Sequence, residues 1–139
     1  MPSISLYRNA KTVVAAISGV KAGTVSNNNA FTFVHTTTGD ILLPADIIAS
    51  GTSYQQIKPG VAGTYSVTVN FEFLATNKYQ VNVTGATKTG FSLELTGDQV
   101  FHGVVTLSAT DYLTVVNKSG GDVTLATDTP VYIEVIKIN

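Results

Sequence analysis

The sequence contains no cysteine and no tryptophan, and charged residues make up only 12% of its 139 residues. The absence of cysteine excludes a disulfide framework, a thiolate metal site and a cysteine nucleophile. The eight Lys and Arg residues are scattered singly and the net charge is −1, so the clustered positive charge that binds nucleic-acid phosphates is lacking. No apolar run approaches the roughly 18 residues of a transmembrane helix. We therefore expect neither nucleic-acid binding nor insertion into a membrane.

The N-terminal region also lacks a convincing signal peptide. Arg8 and Lys11 form a sparse basic region, but the apolar residues 13–17 are followed at once by Ser18 and Gly19. That run is shorter than the ~7–15 apolar residues of a signal-peptide core. If the protein acts outside a cell, we expect it to be released by another route or by lysis, or to be a fragment or mature form.

The residues that are abundant favour a single all-β domain. Hydrophobic residues make up 44% of the chain, and Thr, Val, Gly and Asn are frequent, which is typical of short strands joined by tight turns. Turn signals recur every 8–12 residues, which indicates a sandwich or barrel. So few charges leave much of the surface uncharged, and burying part of it between subunits would protect solubility.

One stretch, residues 63–73, organises the rest of the sequence. Its apolar side chains alternate with Ser, Thr, Asn and Glu over nine positions, the period of a β-strand with one face to bury. The alternating apolar residues are Tyr65, Val67, Val69, Phe71 and Phe73. A second layer must cover that face.

Other segments predict further strands or irregular structure. Residues 4–8 alternate, and residues 12–17 favour a strand, although their two alanines leave a helix open. We expect a strand at residues 91–95, a bulge at Gly103, and an irregular segment at residues 41–49 because Pro44 interrupts pairing. Residues 123–126 are predicted to pair back on residues 112–117 across a hairpin loop.

The last strand is apolar on both faces, unlike a half-exposed antiparallel strand. Val131, Ile133 and Val135 share one face, whereas Tyr132 and Ile136 share the other. We expect a cover on each side, one from the chain's own core and one from a neighbouring subunit.

From residue 57 to residue 138 the chain resembles the trimeric heads of the C1q and tumour necrosis factor superfamily, including the C-terminal domain of BclA-type spore surface proteins. Four features carry this resemblance: Pro59-Gly60-Val61-Ala62-Gly63-Thr64-Tyr65 before the alternating strand, Gly103 to Ser108 followed by Asp111, the strands at residues 113–117 and 123–125, and the final strand.

The resemblance implies an all-β jelly-roll sandwich of about ten strands that forms a homotrimer. We divide the chain into an N-terminal strand or docking segment, residues 1–23, and a jelly-roll head, residues 24–139. The stalk that usually precedes such heads is a Gly-x-y repeat, which this sequence lacks. The residues predicted at the subunit interface are Tyr132, Glu134, Ile136, Ile138, Phe71 and Phe73.

No combination of residues predicts catalysis, a cofactor or a metal. His35 and His102 have no neighbouring His to form a zinc site, and the aspartates lie mostly in turns, where their side chains bond nearby backbone. The aromatic residues fit a core better than a glycan platform. The triplets that begin at Asn82 and Asn117 match a glycosylation acceptor, a common match by chance.

We therefore predict a non-enzymatic structural or binding module, a trimeric head displayed on a bacterial, spore or viral surface. A surface receptor or glycan would bind loops at one end, such as residues 85–90 and 118–122. The alternative is a virion or filament component (a capsid decoration protein, fibre tip or surface-polymer subunit) that residues 1–23 dock to a capsid or coat neighbour.

Overall fold

Eleven short strands, all paired antiparallel, make up the regular structure of the computed structural model, which describes residues 12–17, 19–34, 53–71, 76–96, 99–126 and 129–139. No helix occurs within these ranges, so the all-β prediction is confirmed for them. The strands are β1 (Thr12–Ile17), β2 (Gly23–Val25), β3 (Phe33–Val34), β4 (Ser53–Tyr54), β5 (Gly63–Phe71), β6 (Lys78–Val83), β7 (Leu95–Thr96), β8 (Val100–Leu107), β9 (Leu113–Asn117), β10 (Val123–Leu125) and β11 (Val131–Lys137).

The larger sheet has four strands in the order β1-β11-β5-β8. Strand β5 lies inside it, and its side chains alternate between buried and partly exposed as the sequence predicts. Strand β1 pairs with β11 from Thr12 opposite Lys137 to Ile17 opposite Ile133, with one register shift after Val13. The strand interpretation of residues 12–17 is therefore confirmed over the helical one.

The smaller sheet has three strands in the order β7-β6-β9. Along the other edge of β9, residues 28–31 run antiparallel to it, with a bridge between Ala30 and Val116. The backbone N–H of Asn28 donates to the backbone carbonyl of Asn117 at 2.7 Å, and the backbone N–H of Phe31 donates to the backbone carbonyl of Val115 at 2.8 Å. These bonds extend the sheet by one irregular strand.

An aromatic cluster fills the space between the two sheets. The ring of Phe71, on β5, lies 4.8 Å from Phe31, 6.3 Å from Phe33 and 6.1 Å from Tyr79, centroid to centroid. Tyr79, on β6, donates its hydroxyl hydrogen to the Val69 carbonyl at 3.1 Å and the Gln99 carbonyl at 2.6 Å. Burial raises the pKa of Tyr79 to about 12. The hydroxyl thus joins the two sheets by hydrogen bonds as well as by packing.

Gly103 is not a bulge, because β5 and β8 keep a continuous register through it. Its role is steric. A Cβ atom there would lie 2.8 Å from Cζ of Phe101 and 2.9 Å from Cε1 of Phe91, whose rings pack edge to face at 5.1 Å. Only glycine leaves room for this pair.

The predicted strand at residues 91–95 is correct only at its end, since β7 contains just Leu95 and Thr96. Phe91 lies in a turn, where its amide donates to the Lys88 carbonyl at 3.0 Å. The Phe91 ring packs edge to face against Phe101, and Oγ of Ser92 donates to the Val81 carbonyl of β6 at 2.6 Å, so a side chain takes the place of further backbone pairing there.

The predicted hairpin between residues 112–117 and 123–126 is wrong. Strand β10 pairs with β2, whereas β9 pairs with β6. Asn117 explains the difference: it is fully buried, and its Nδ2 donates to the carbonyls of Val25 and Gly121, both at 2.9 Å. These hydrogen bonds hold the loop after β9 against β2, so that the chain continues into β10 beside β2 and does not turn back onto β9. The predicted features at residues 4–8 and 41–49 lie outside the described residues.

Candidate association surface

One face of the four-stranded sheet points away from the core, and we call it the open face. It consists of the outward side chains of β5, β8 and β11, which the register arranges in rows across the strands. The three complete rows are Val100–Asn70–Tyr132, His102–Thr68–Glu134 and Val104–Ser66–Ile136. Apolar side chains thus flank a middle strand of small polar ones.

Large apolar side chains on this face are exposed to solvent. Val100 is 55% exposed, Val104 53% and Tyr132 44%, and Ile138, just past the end of β11, is 39% exposed. Their neighbours on the inward face of β11, such as Ile133, are fully buried. Strand β11 is therefore apolar on both faces, as the sequence predicts, but the described residues cover only one of them.

The open face carries little charge. Among its described residues the one carboxylate is Glu134, which accepts a hydrogen bond from the Tyr132 hydroxyl at 2.6 Å. That bond raises the pKa of Tyr132, with burial a smaller cause. The imidazole Nδ1 of His102 lies 3.1 Å from Oγ1 of Thr68. Four of the polar side chains on this face, those of Tyr132, Glu134, Thr68 and His102, thus make contacts within the chain.

A recess of about 230 Å³ opens at one end of this face, lined by Asn70, Pro130, Val131 and Tyr132. The side-chain oxygen of Asn70 is buried and has no hydrogen-bond partner among the described residues. Buried polar atoms are nearly always partnered in native proteins, so this oxygen marks an unsatisfied acceptor at the recess.

The residues predicted at the subunit interface divide between the two faces of the sheet. Tyr132, Glu134 and Ile136 lie on the open face, and Ile138 adjoins it. Phe71 lies on the opposite face, fully buried against Phe31, so we leave it out of the surface proposed below. Phe73 lies outside the described residues.

Sequence reasoning missed Val100 and Val104, although a signal for them was present. In β8, Phe101, Val105 and Leu107 are buried, so alternation puts Val100 and Val104 on the other face. Strand β8 is thus apolar on both faces, the same signature that singles out β11.

The two loops predicted to bind a ligand at one end of the molecule lie at opposite ends of the smaller sheet. The register pairs Val83 with Leu113 at one end and Tyr79 with Asn117 at the other. Residues 84–90 follow the first end and residues 118–122 the second. The prediction of a shared binding end is therefore wrong.

Asp111 joins two loops at the first of these ends. Its carboxylate accepts hydrogen bonds from the Ser108 amide and from the Thr84 hydroxyl, both at 2.8 Å. The hydrogen bond from the Ser108 amide is the main cause that lowers the pKa of Asp111, and the hydrogen bond from the Thr84 hydroxyl is the next largest. Thr84 itself has a φ of +50°, an uncommon conformation for a residue other than glycine.

At the second end, an asparagine turn and the loop after β9 hold each other. Asn27 accepts a hydrogen bond from the Gly120 amide at 2.9 Å, and Asn28 accepts one from Nζ of Lys118 at 3.0 Å. Asn117 below them is fully buried, and Asn82 is 8% exposed. Both glycosylation triplets thus begin with buried asparagines.

Other candidate sites find no partners in the described part of the chain. It contains no group of three or more His, Asp or Glu side chains able to hold a metal, and His35 lies outside it. None of the described segments forms an apolar helix of the length that crossing a bilayer requires.

Part of the predicted docking segment, residues 1–23, belongs to the folded body. Strand β1 lies within it and pairs with β11, and Ile17 and Val20 are each 1% exposed. Residues 1–11 lie outside the described residues.

The chain was compared with family models, curated proteins and solved structures. No protein-family model matches the sequence, and no curated protein is similar to it. Among solved structures, the chain is similar to PRD1 vertex protein P5, with 14% sequence identity and a TM-score of 0.49 over 91% of this chain and 99% of that one.

Proposed function

We propose that this chain is a non-enzymatic structural module, a jelly-roll head that assembles with copies of itself through the open face. The observation that carries the proposal is the exposure of Val100, Val104, Tyr132 and Ile138 on one nearly uncharged sheet face. A patch of exposed apolar side chains on one face often marks a site of interaction with another molecule.

The strand pairing supports the jelly-roll part of the proposal. A jelly roll is a long antiparallel ribbon rolled into two sheets, so its strand pairs are nested from the chain ends inward. The nested pairs here are β1 with β11, β2 with β10, residues 28–31 with β9, β5 with β8, and β6 with β7.

The energetics favour a closed ring over a single contact. Burying the four exposed side chains would remove on the order of 300 Å² of apolar surface from water, about 7 kcal/mol at roughly 25 cal/mol per Å². Association costs several kcal/mol in lost rotational and translational freedom, so one such contact is weak. A face that meets its own copy about a two-fold axis closes as a dimer, whereas in a cyclic trimer it meets a second surface and each subunit makes two contacts. The trimer is what the sequence resemblance implies.

The charge on the open face favours a copy of the same chain as partner. Glu134 is the one carboxylate among its described residues, and none of the outward side chains of β5, β8 and β11 is a lysine or an arginine. Two such faces do not repel each other strongly.

Sedimentation velocity tests the proposal. We expect wild-type protein to sediment as a trimer at tens of micromolar and Val104→Arg to sediment as a folded monomer with an unchanged circular dichroism spectrum. Leu93→Arg is the matched control, because Leu93 is 59% exposed but lies in the segment before β7, off the open face. A wild-type monomer at that concentration, or equal disruption by both variants, would overturn the proposal.

We extend the proposal to the place of display, a bacterial, spore or viral surface, on the ground of the sequence resemblance alone. In the alternative role, as a virion or filament component, residues 1–11 are the part of the docking segment that can be removed without deleting β1. Their deletion is expected to abolish attachment and leave the assembly intact. Loss of folding on this deletion would count against a docking role.

A further inference from the structure

Strand β8 forms one edge of the four-stranded sheet, and the hydrogen bonds of β5 show which way its backbone groups point. The N–H of Thr64 donates to the Asn139 carbonyl at 2.8 Å, and the C=O of Thr64 accepts from the Ile138 N–H at 2.9 Å. Thr64 therefore directs both groups to the side of β11. Successive residues of a strand direct these groups to opposite sides, so residues 65, 67 and 69 direct theirs to β8.

The register then divides the backbone groups of β8 between its two sides. Residues 65, 67 and 69 of β5 lie opposite residues 105, 103 and 101 of β8, which therefore bond to β5. The residues between them direct their N–H and C=O groups to the far side: Val100, His102, Val104 and Thr106. No described residue pairs its backbone with that side. It is a row of donors and acceptors open to a further strand.

The β8 edge lacks the features that protect other strand edges. Strand β7, at an edge of the smaller sheet, has only two residues, and β1, at the opposite edge of the larger sheet, has a register shift after Val13. Strand β8 runs for eight residues in continuous register, without proline and without Asp, Glu, Lys or Arg. A long, uncharged and uninterrupted edge is a template for the addition of a strand from another chain.

The chain itself carries a segment suited to this edge. In residues 4–8, Ile4 and Leu6 alternate with Ser5 and Tyr7, the pattern of a strand; these residues lie outside the described part of the chain.

Their own β8 is out of reach. Residue 8 is four residues before Thr12, where β1 begins, so it lies at most about 14 Å from it. A strand beyond β8 is four strand spacings from β1, about 19 Å.

We infer that residues 4–8 of a second copy add to the edge of β8, so that each subunit gives one strand and receives one. This inference rests on the proposed function, because the donor is a copy of this chain. It supplies the second, different surface that a closed ring of three subunits requires. With Ile4 and Leu6 on the buried side, Tyr7 joins Val104 on the open face. The inference competes with the docking role that the alternative gives residues 1–11.

Leu6→Pro tests the added strand, because proline removes a backbone donor and is disfavoured within a paired strand. We expect its association constant, measured by sedimentation equilibrium, to fall about ten-fold or more, while the monomer resists urea as wild type does. Ser3→Pro is the matched control, since it places a proline beside Pro2, before the alternating residues. It should associate within two-fold of wild type. Association of Leu6→Pro as tight as that of wild type would overturn the inference.

Disulfide trapping tests the location of the strand, since the chain has no cysteine of its own. Tyr7→Cys is combined in turn with Val100→Cys, His102→Cys and Val104→Cys, because residues opposite each other on neighbouring strands lie within disulfide reach. We expect at least one pair to give covalent trimers on a non-reducing gel and no larger species. Tyr7→Cys with Thr24→Cys, on β2 outside the larger sheet, should give none. Absence of a product between chains from all three pairs would refute the inference.

The outcomes separate this inference from the proposed function. If wild type assembles and Val104→Arg dissociates it, while Leu6→Pro associates normally and no pair cross-links two chains, the added strand is refuted and the open face stands. If Leu6→Pro instead lowers the resistance of the monomer to urea, residues 4–8 pair within their own chain, which also refutes the inference. If wild type is monomeric at tens of micromolar, both fail together.

Discussion

The outer faces of the two sheets differ sharply although the strands beneath them alternate in the same way. On the smaller sheet, Gln80, Asn82 and Thr114 point away from the core yet expose only 6–8% of their surface. On the larger sheet, Val100 and Val104 occupy equivalent outward positions and are more than half exposed. The outward polar side chains are covered and the outward apolar ones are exposed, which is the reverse of the usual arrangement in which polar groups face water.

The smaller sheet's outer face is covered partly by the loop that follows β6. Nε2 of Gln80 donates to Oδ1 of Asn82 at 2.5 Å and to Oγ1 of Thr87, in that loop, at 3.1 Å. The side-chain amides of Gln80 and Asn82 are therefore joined by a hydrogen bond beneath this loop. The larger sheet has no comparable cover among the described residues. The comparison thus separates a face that a loop of the chain covers from one that no described residue covers.

The largest expected effect comes from placing a carboxylate on each face in turn. Val116, outward on β9, is 6% exposed, so Val116→Asp buries a carboxylate and should cost about 3–5 kcal/mol. Val104→Asp leaves its charge in water and should change the free energy of unfolding by no more than about 0.5 kcal/mol. Urea unfolding of both variants, at concentrations where monomer predominates, measures the difference. Equal losses would show that the two faces are covered alike.

The sequence predicts strands far better than it predicts what covers them. Alternation locates β5, β6 and β11 nearly to the residue, because period two needs only the local pattern. It cannot tell which outward face another part of the chain will cover, since that depends on contacts between distant residues. Gln80 and Asn82 look like solvent-facing positions in the sequence and are not.

Pairing partners and steric roles are equally hidden from a local reading. A loop of Ser, Gly and Asp after β9 predicts a hairpin, but the fully buried Asn117 bonds the carbonyl of Val25, 92 residues away, and directs β10 to β2. Gly103 suggests a bulge until the rings of Phe91 and Phe101 are seen to fill its space. In each case a distant side chain decides the outcome.

A smaller effect is expected from the hydroxyl that links the two sheets. Tyr79→Phe removes the donor to the carbonyls of Val69 and Gln99 and should cost about 1–2 kcal/mol at pH 7. Because burial raises the pKa of Tyr79 to about 12, its stabilisation is complete below pH 10 and is lost as the pH rises towards 12. Stability of the variant should therefore fall less steeply than that of wild type over this range. Tyr112→Phe, at a half-exposed tyrosine, is the control; identical profiles for wild type and Tyr79→Phe would contradict the link.

The smallest expected effect concerns Asp111, which joins the loop leaving the larger sheet to the loop leaving the smaller one at their exposed end. Asp111→Ala removes the acceptor of the Ser108 amide and Thr84 hydroxyl, so the melting temperature at pH 7 should fall by about 2–4 °C. The Ser108 bond lowers the pKa of Asp111, so its stabilisation is present above the ordinary carboxyl pKa of about 4 and is lost as the pH falls through the lower folded value. Wild type and variant should therefore converge in acid, whereas Asp122→Ala, at an exposed loop position, should match wild type throughout. A melting difference that is as large at pH 2.5 as at pH 7 would show that packing, not the carboxylate, holds the two loops together.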